Sequence, residues 1–287
     1  MPVLENPQWR DLHNMIHLRI HQLASADFEW SGRNSYAFNR CFLVREGEGC
    51  VRNHTGNESF RLRRGTALFM PESADLSFEF HRGLKFLSCH FNLYLLPGVD
   101  LFQKERFCRE FPVDPMECRE MEKKILDFPD WPAVCAFESF FWRMIRHIPL
   151  PDPNPFGDLA RLTGRYGGLL RHIQDHLSAQ LDVAELAECA GVARDTLSRN
   201  FSRDFAMPLK QFLQKELISL ASRLLLCSGL SIREIADRLR FSSEYYFSSF
   251  FKRHTGTTPS AFRRLNCHSS ILFRGRRERR ECGEDGG

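Results

Sequence analysis

Two short stretches gather hydrogen-bonding and cationic side chains at helical spacing. ARDTLSRNFSRDF (193–205) carries Arg194, Asp195, Thr196, Ser198 and Arg199 beside apolar Leu197, Phe201 and Phe205. FSSEYYFSSFFKR (241–253) carries Ser243, Glu244, Tyr245, Ser248, Ser249, Lys252 and Arg253 beside Phe247 and Phe251. Guanidinium forks, hydroxyls and an ammonium on one helix face suit contact with base edges and phosphates. They do not form a nucleophile–base pair. No nucleophile signature or glycine-rich phosphate loop occurs elsewhere in the chain, so no catalytic residue is assigned. The histidines among the strand-like segments, His54, His81 and His90, are isolated from one another and from suitably spaced acids, so no metal and no cofactor is expected. His13, His17 and His21 would share a face only if that stretch were helical.

The elements that must hold these residues are legible in outline. Segments 36–44, 49–54, 58–65, 66–71, 74–80 and 84–96 are short, rich in Phe, Val and Leu, and separated by turn residues. They predict strands of an antiparallel sandwich or barrel. From about residue 115 the period changes to that of helices, over 116–128 and 131–148. The second of these is apolar on most of its surface, which predicts packing on the strands or on a partner chain. LPDPNPFGD (150–158) reads as a linker, because its prolines forbid a regular element. Beyond it every segment reads as helix.

The helical part contains a repeat. Glu185-Leu186-Ala187 recurs as Glu234-Ile235-Ala236, and Ser198, Phe201 and Arg203 recur as Ser248, Phe251 and Arg253. Each copy reads as helix, tight turn, helix, with Ala187 and Ala236 where crossing helices need a small side chain and Gly191 in the first turn. The segment 210–229 is a long apolar helix that joins the copies.

Charge agrees with an anionic partner. The chain has a net charge of +4, and 161–264 holds 16 Lys/Arg against 10 Asp/Glu. The ten cysteines include no C-x-x-C pair, which predicts reduced, mostly buried thiols in a cytoplasmic protein. No apolar run has the length of a membrane span and the N-terminus lacks a signal-peptide pattern, so no membrane partner is expected.

Residues 165–264 resemble the AraC/XylS family of bacterial transcription regulators. The resemblance rests on L-x-x-C-A-G-V-A-R-D-T-L-S-R-N-F (186–201), A-S-R-L-L (221–225), S-I-R-E-I-A (231–236), F-S-S-E-Y-Y-F-S-S-F-F-K (241–252) and G-T-T-P-S-A-F-R (256–263). It implies two helix-turn-helix units on a connecting helix, reading two successive major-groove segments of double-stranded promoter DNA. The chain departs from the family pattern at Arg240 and Ala206, where glycine is usual, and at Leu217 and Ser249, where arginine is usual or frequent. Ser249 implies that the second unit is the weaker base reader. The N-terminal half resembles the cupin-like effector domain of such regulators, through GTALFMP (65–71) followed by strands and two helices. That implies a small-molecule effector, a sugar or related metabolite, and a homodimer joined through the helices.

The expected fold is α+β: a cupin-like N-terminal β-barrel with two helices, and an all-α C-terminal domain with two helix-turn-helix units. The expected division is 1–150 for sensing and dimerisation, 151–160 as linker, 161–265 for DNA binding and 266–287 as a disordered tail. Trp30, Arg40, His54, Phe80, His90 and Phe91 are the candidate ligand-binding residues. The function implied is transcription regulation, as an activator or a repressor. A cupin-type enzyme or carbohydrate-binding module with a helical accessory domain is the competing reading.

Overall fold

The computed structural model describes residues 16–72, 74–126, 130–149 and 158–267. Most of the expected 151–160 linker and of the 266–287 tail, together with His13, lies outside them. Ten strands come first: β1 (His17–Asp27), β2 (Trp30–Asn34), β3 (Asn39–Glu46), β4 (Glu48–Asn53), β5 (Glu58–Arg63), β6 (Thr66–Met70), β7 (Leu76–Phe80), β8 (Lys85–Leu96), β9 (Val99–Asp100) and β10 (Arg109–Pro112). Nine helices are described after them: α1 (Pro115–Leu126), α2 (Trp131–Ile145), α3 (Leu159–His176), α4 (Val183–Cys189), α5 (Arg194–Phe205), α6 (Leu209–Cys227), α7 (Ile232–Arg238), α8 (Glu244–Thr255) and α9 (Pro259–Cys267). The fold is α+β, as expected. The chain divides into two compact units. One comprises Met1–Arg19, Asn92–Lys104 and Leu150–Phe251, and the other Ile20–Phe91, Glu105–Pro149 and Lys252–Gly287.

The strands do not close into a barrel. They form two antiparallel sheets, β1-β8-β3-β6-β10 with β9 on β8, and β2-β7-β4-β5. Closure requires hydrogen bonds between the end strands of a sheet. Here β10 is four residues long and ends at Pro112, which has no N–H to extend a ladder. An apolar core lies between the sheets, with Phe42, Val44 and Phe86 from one and Val51, Leu62, Phe78 and Phe80 from the other. Four strands lie outside the segments expected to be strands: β1, β2, β9 and β10. His17 and His21 therefore lie on a strand and not on a helix.

Within the same unit, α1 is tied to the sheet by an ion pair between Arg45 of β3 and Glu122, both largely shielded from solvent. Arg45 also donates to Ser25 Oγ at 3.1 Å. Asp130 caps α2 by accepting from the Ala133 N–H at 2.8 Å. α2 buries Phe140, Phe141, Met144 and Ile145 and leaves Trp131, Val134 and Trp142 exposed. The eight cysteines whose side chains are described are free thiols. Cys41, Cys89, Cys108 and Cys118 are buried, whereas Cys50, Cys135, Cys189 and Cys227 are exposed, so only half of them match the buried pattern expected.

The other unit carries most of the repeat. Asp182 caps α4, accepting from the N–H groups of Ala184 and Glu185 at 2.8 and 2.9 Å. Ser231 and Glu234 form a capping box on α7. After each of these short helices the chain turns identically. Val192 N–H donates to the Ala187 carbonyl at 3.1 Å, and Phe241 N–H to the Ala236 carbonyl at 2.9 Å. This bond closes a helix end through a left-handed residue. In the first copy that residue is Gly191, at φ 65°. In the second it is Arg240, at φ 56°. The turns after the recognition helices reverse the choice: Ala206 sits at φ 53° and Gly256 at φ 78°. Each copy thus has one glycine and one strained residue at equivalent places. A left-handed L-residue costs about 1–2 kcal/mol, part of which is regained because glycine has more freedom to lose on folding. Arg240→Gly and Ala206→Gly should therefore each raise stability by about 0.5–1 kcal/mol, read as a higher melting temperature.

Candidate functional site

In α5, Leu197, Phe201 and Phe205 are buried and fix the opposite face outward. Phe201 meets Tyr166, Phe205 and Phe212 at ring separations of 5.6, 4.4 and 5.3 Å, which locks α5 between α3 and α6. Asp204 adds a polar tie, accepting from Tyr166 Oη at 2.8 Å and pairing with Arg161, Arg165 and Arg203. Burial alone would raise the Asp204 carboxyl, but Tyr166 and Arg203 hold it below the ordinary carboxylate range. Burial and this bond push the Tyr166 phenol up to about 12. On the outward face Arg194, Asp195, Thr196 and Arg199 are exposed and Ser198 is half-buried. The residue before α5 is Ala193, which provides no capping side chain. The first-turn N–H groups of α5 therefore remain available to an anion.

In α8, Phe247 and Phe251 are fully buried, and the Phe247 ring lies 5.2 Å from that of Phe241 in a tilted arrangement. Ser243, Glu244, Tyr245, Ser249, Lys252 and Arg253 are exposed, and Ser248 is half-buried. Ser243 Oγ accepts from the Tyr246 N–H at 3.1 Å, so this serine caps the helix as well as facing outward. Tyr246 and Arg240 also stand exposed beside this face. Tyr246 is absent from the DNA contacts expected from the sequence; its position just before core residue Phe247 is the available signal. The two helix-turn-helix copies are joined by α6 and by a bond from Ala179 N–H to the Leu239 carbonyl at 2.8 Å.

A second feature lies in the other unit, a cavity of about 510 Å³ including its open mouth. β8 contributes Phe86, Ser88 and His90, β3 contributes Arg40 and Phe42, and β7 contributes Phe78 and Phe80. Trp30, Asn34 and Tyr36 complete one wall. The alternation of a strand decides membership: His90 faces in, whereas its neighbour Phe91 packs against Phe141 at 4.9 Å. His54 is also outside, bonded to Ser77 Oγ at 2.6 Å. Four of the six candidate ligand residues, Trp30, Arg40, Phe80 and His90, thus line the cavity, while His54 and Phe91 do not. Gly32 makes room for the Trp30 indole, since a Cβ there would lie 2.4 Å from it.

Arg40 is 2% exposed. It donates to Asn34 Oδ1 at 2.7 Å and lies over the rings of Tyr36 and Phe78, at 4.5 and 5.1 Å. Burial brings it down to about 10, so it remains a cation at neutral pH. His90 meets Ser88 Oγ at 3.0 Å, and burial, Arg40 and His21 hold it neutral, well below the ordinary histidine range. Tyr36 also meets the buried ring of Phe262 in α9 at 5.0 Å, within this unit. Among the described residues no group of three or more His, Cys, Asp or Glu is placed to hold a metal, and no helix is long and apolar enough to cross a membrane.

Residues 186–265 match the family model described as a helix-turn-helix domain. The uncharacterized HTH-type transcriptional regulator YfiF of Bacillus subtilis (strain 168) is 36% identical over 94 residues, covering 33% of this chain and 30% of that protein. The xylose operon regulatory protein of Escherichia coli (strain K12) is 28% identical over 97 residues, covering 34% and 25%. The chain therefore spans less than a third of the length of these two relatives. The arabinose operon regulatory protein of Salmonella typhimurium aligns more fully, 24% identical over 248 residues, covering 81% of this chain and 84% of that protein. Apo ToxT from Vibrio cholerae shares the fold, with a TM-score of 0.59 at 11% identity, covering 88% of this chain and 98% of that one. The named relatives are regulators, not enzymes. Residues 186–265 thus carry a helix-turn-helix domain, and over this part the chain is similar to bacterial transcription regulators.

Proposed function

We propose that this protein is a sequence-specific, ligand-responsive transcription regulator. In this reading 161–265 bind promoter DNA, while 1–150 bind the effector and join two copies. The observation that carries it is the duplicated turn, Ala187–Val192 and Ala236–Phe241, followed each time by a helix with a polar, basic outer face. Helices so presented enter successive major grooves with their N-terminal residues toward the bases. Arg194 and Arg199 are the leading base readers. Lys252 and Arg253 are the leading phosphate contacts of the second unit, and Tyr245, 82% exposed, adds an apolar edge.

Mobility shift of the full chain on promoter fragments tests this. Raising salt from 50 to 200 mM should weaken binding by about 10³-fold if some six phosphates are neutralised. Salt-insensitive binding, or none, would overturn the reading. Arg199→Ala should lose about 1–3 kcal/mol of discrimination between operator and unrelated DNA. Equal weakening on every sequence would move Arg199 to a phosphate.

The effector is assigned to the cavity around Arg40, and the arabinose and xylose operon relatives support a sugar or related metabolite as one class. The exposed Trp131, Val134 and Trp142 of α2 support a homodimer through that helix. Trp142→Glu should then shift the sedimentation of micromolar protein from dimer to monomer, and an unchanged profile would refute that interface.

A further inference from the structure

The cavity holds a cation that the described residues leave without a counter-ion. Among the described residues no carboxylate pairs with Arg40; its only hydrogen bond goes to the neutral Asn34, and its Nε has no hydrogen-bond partner. His90 Nδ1, also lining the cavity, likewise has none. Among the described residues the lining includes no Asp or Glu. The rest of the wall is largely aromatic, with Trp30, Phe42, Phe78, Phe80 and Phe86.

We propose that the cavity binds an organic monocarboxylate with an apolar body, its carboxylate on Arg40 and its body against the aromatic wall. This rests on the reading of the cavity as the effector site and names the class of ligand it takes. Removing a guanidinium from water is costly unless an anion and hydrogen bonds compensate it. The Arg40 fork offers Nε and a terminal nitrogen in the geometry that a carboxylate matches with two parallel bonds. Asn34 and neutral His90 stand beside it, and the His90 ring adds no competing charge. A neutral sugar fits less well. It would leave the Arg40 charge uncompensated, and its hydroxyls would meet no carboxylate acceptors.

Calorimetric titration of the full chain tests the proposal. The probes are trans-cinnamate and octanoate, their neutral amides cinnamamide and octanamide, and L-arabinose and D-xylose. At least one acid should bind more than ten-fold tighter than its amide and should alter Trp30 fluorescence. Arg40→Gln should abolish the acid–amide difference, and Arg40→Lys should retain part of it. The acid–amide contrast in the unaltered protein needs no variant, so a poorly folding Arg40→Gln chain does not decide the matter. Equal affinity for acid and amide, sugars binding where neither acid does, or no acid binding at all would overturn the proposal. Mobility shift on the same preparation separates the two readings. Acid binding without any effect on DNA binding keeps the anion site and removes its effector role. DNA binding without acid binding keeps the regulator and removes the anion site.

Discussion

Phe201→Ala is expected to lower stability by about 3–5 kcal/mol, the range for emptying a fully buried aromatic position. The ring is shared by three helices, through Tyr166 of α3, Phe205 of its own helix and Phe212 of α6, so the void cannot close by shifting one neighbour. Urea denaturation would read the loss as a lower midpoint. DNA affinity should fall with it, because α5 owes its orientation to this seat and Arg194 and Arg199 project from the same helix. Phe201→Leu should recover much of both, since it keeps most of the volume. Full DNA binding by a folded Phe201→Ala chain would mean that α5 is positioned by something else.

Glu122→Gln is expected to cost about 3–5 kcal/mol, through a different mechanism. It leaves the Arg45 charge shielded from solvent without its counter-ion. Arg45 keeps only Ser25 as a hydrogen-bond partner, a hydroxyl that does not neutralise it. The double substitution Arg45→Met with Glu122→Leu should be far milder than the single one, because apolar side chains of similar size need no compensation. Chemical denaturation of the single and double variants gives the coupling directly. If the two cost the same, the pair contributes nothing beyond packing.

These two sites differ in how far the sequence reveals them. The Phe201 cluster is legible because its partners sit at helical spacing inside a repeat. The duplicated pattern supplies its own check on which positions are core. The same comparison picks out Arg240 and Ala206 as residues standing where glycine is usual. Arg45 and Glu122 are separated by 77 positions, and no local period marks them as partners. β1 and β2 are not legible in the sequence because His, Arg, Gln and Ser interrupt their apolar residues. The barrel expectation failed for a related reason: strand content is local, whereas closure depends on which end strands find each other. Within the cavity the strand period alone sorts His90 from Phe91. The inclusion of Tyr36, between β2 and β3, depends on tertiary contacts that no period records.

The exchanged glycines give the two DNA-reading copies opposite weak ends. Ala206 lies at the exit of α5, whereas Arg240 lies just before the entry of α8. Local opening starts where the backbone is least content, so amide protons should exchange first at the tail of one recognition helix and at the head of the other. A bound duplex touches the heads. It would therefore slow exchange much more in the second copy than in the first, and the unit with fewer arginines would gain the most order on binding.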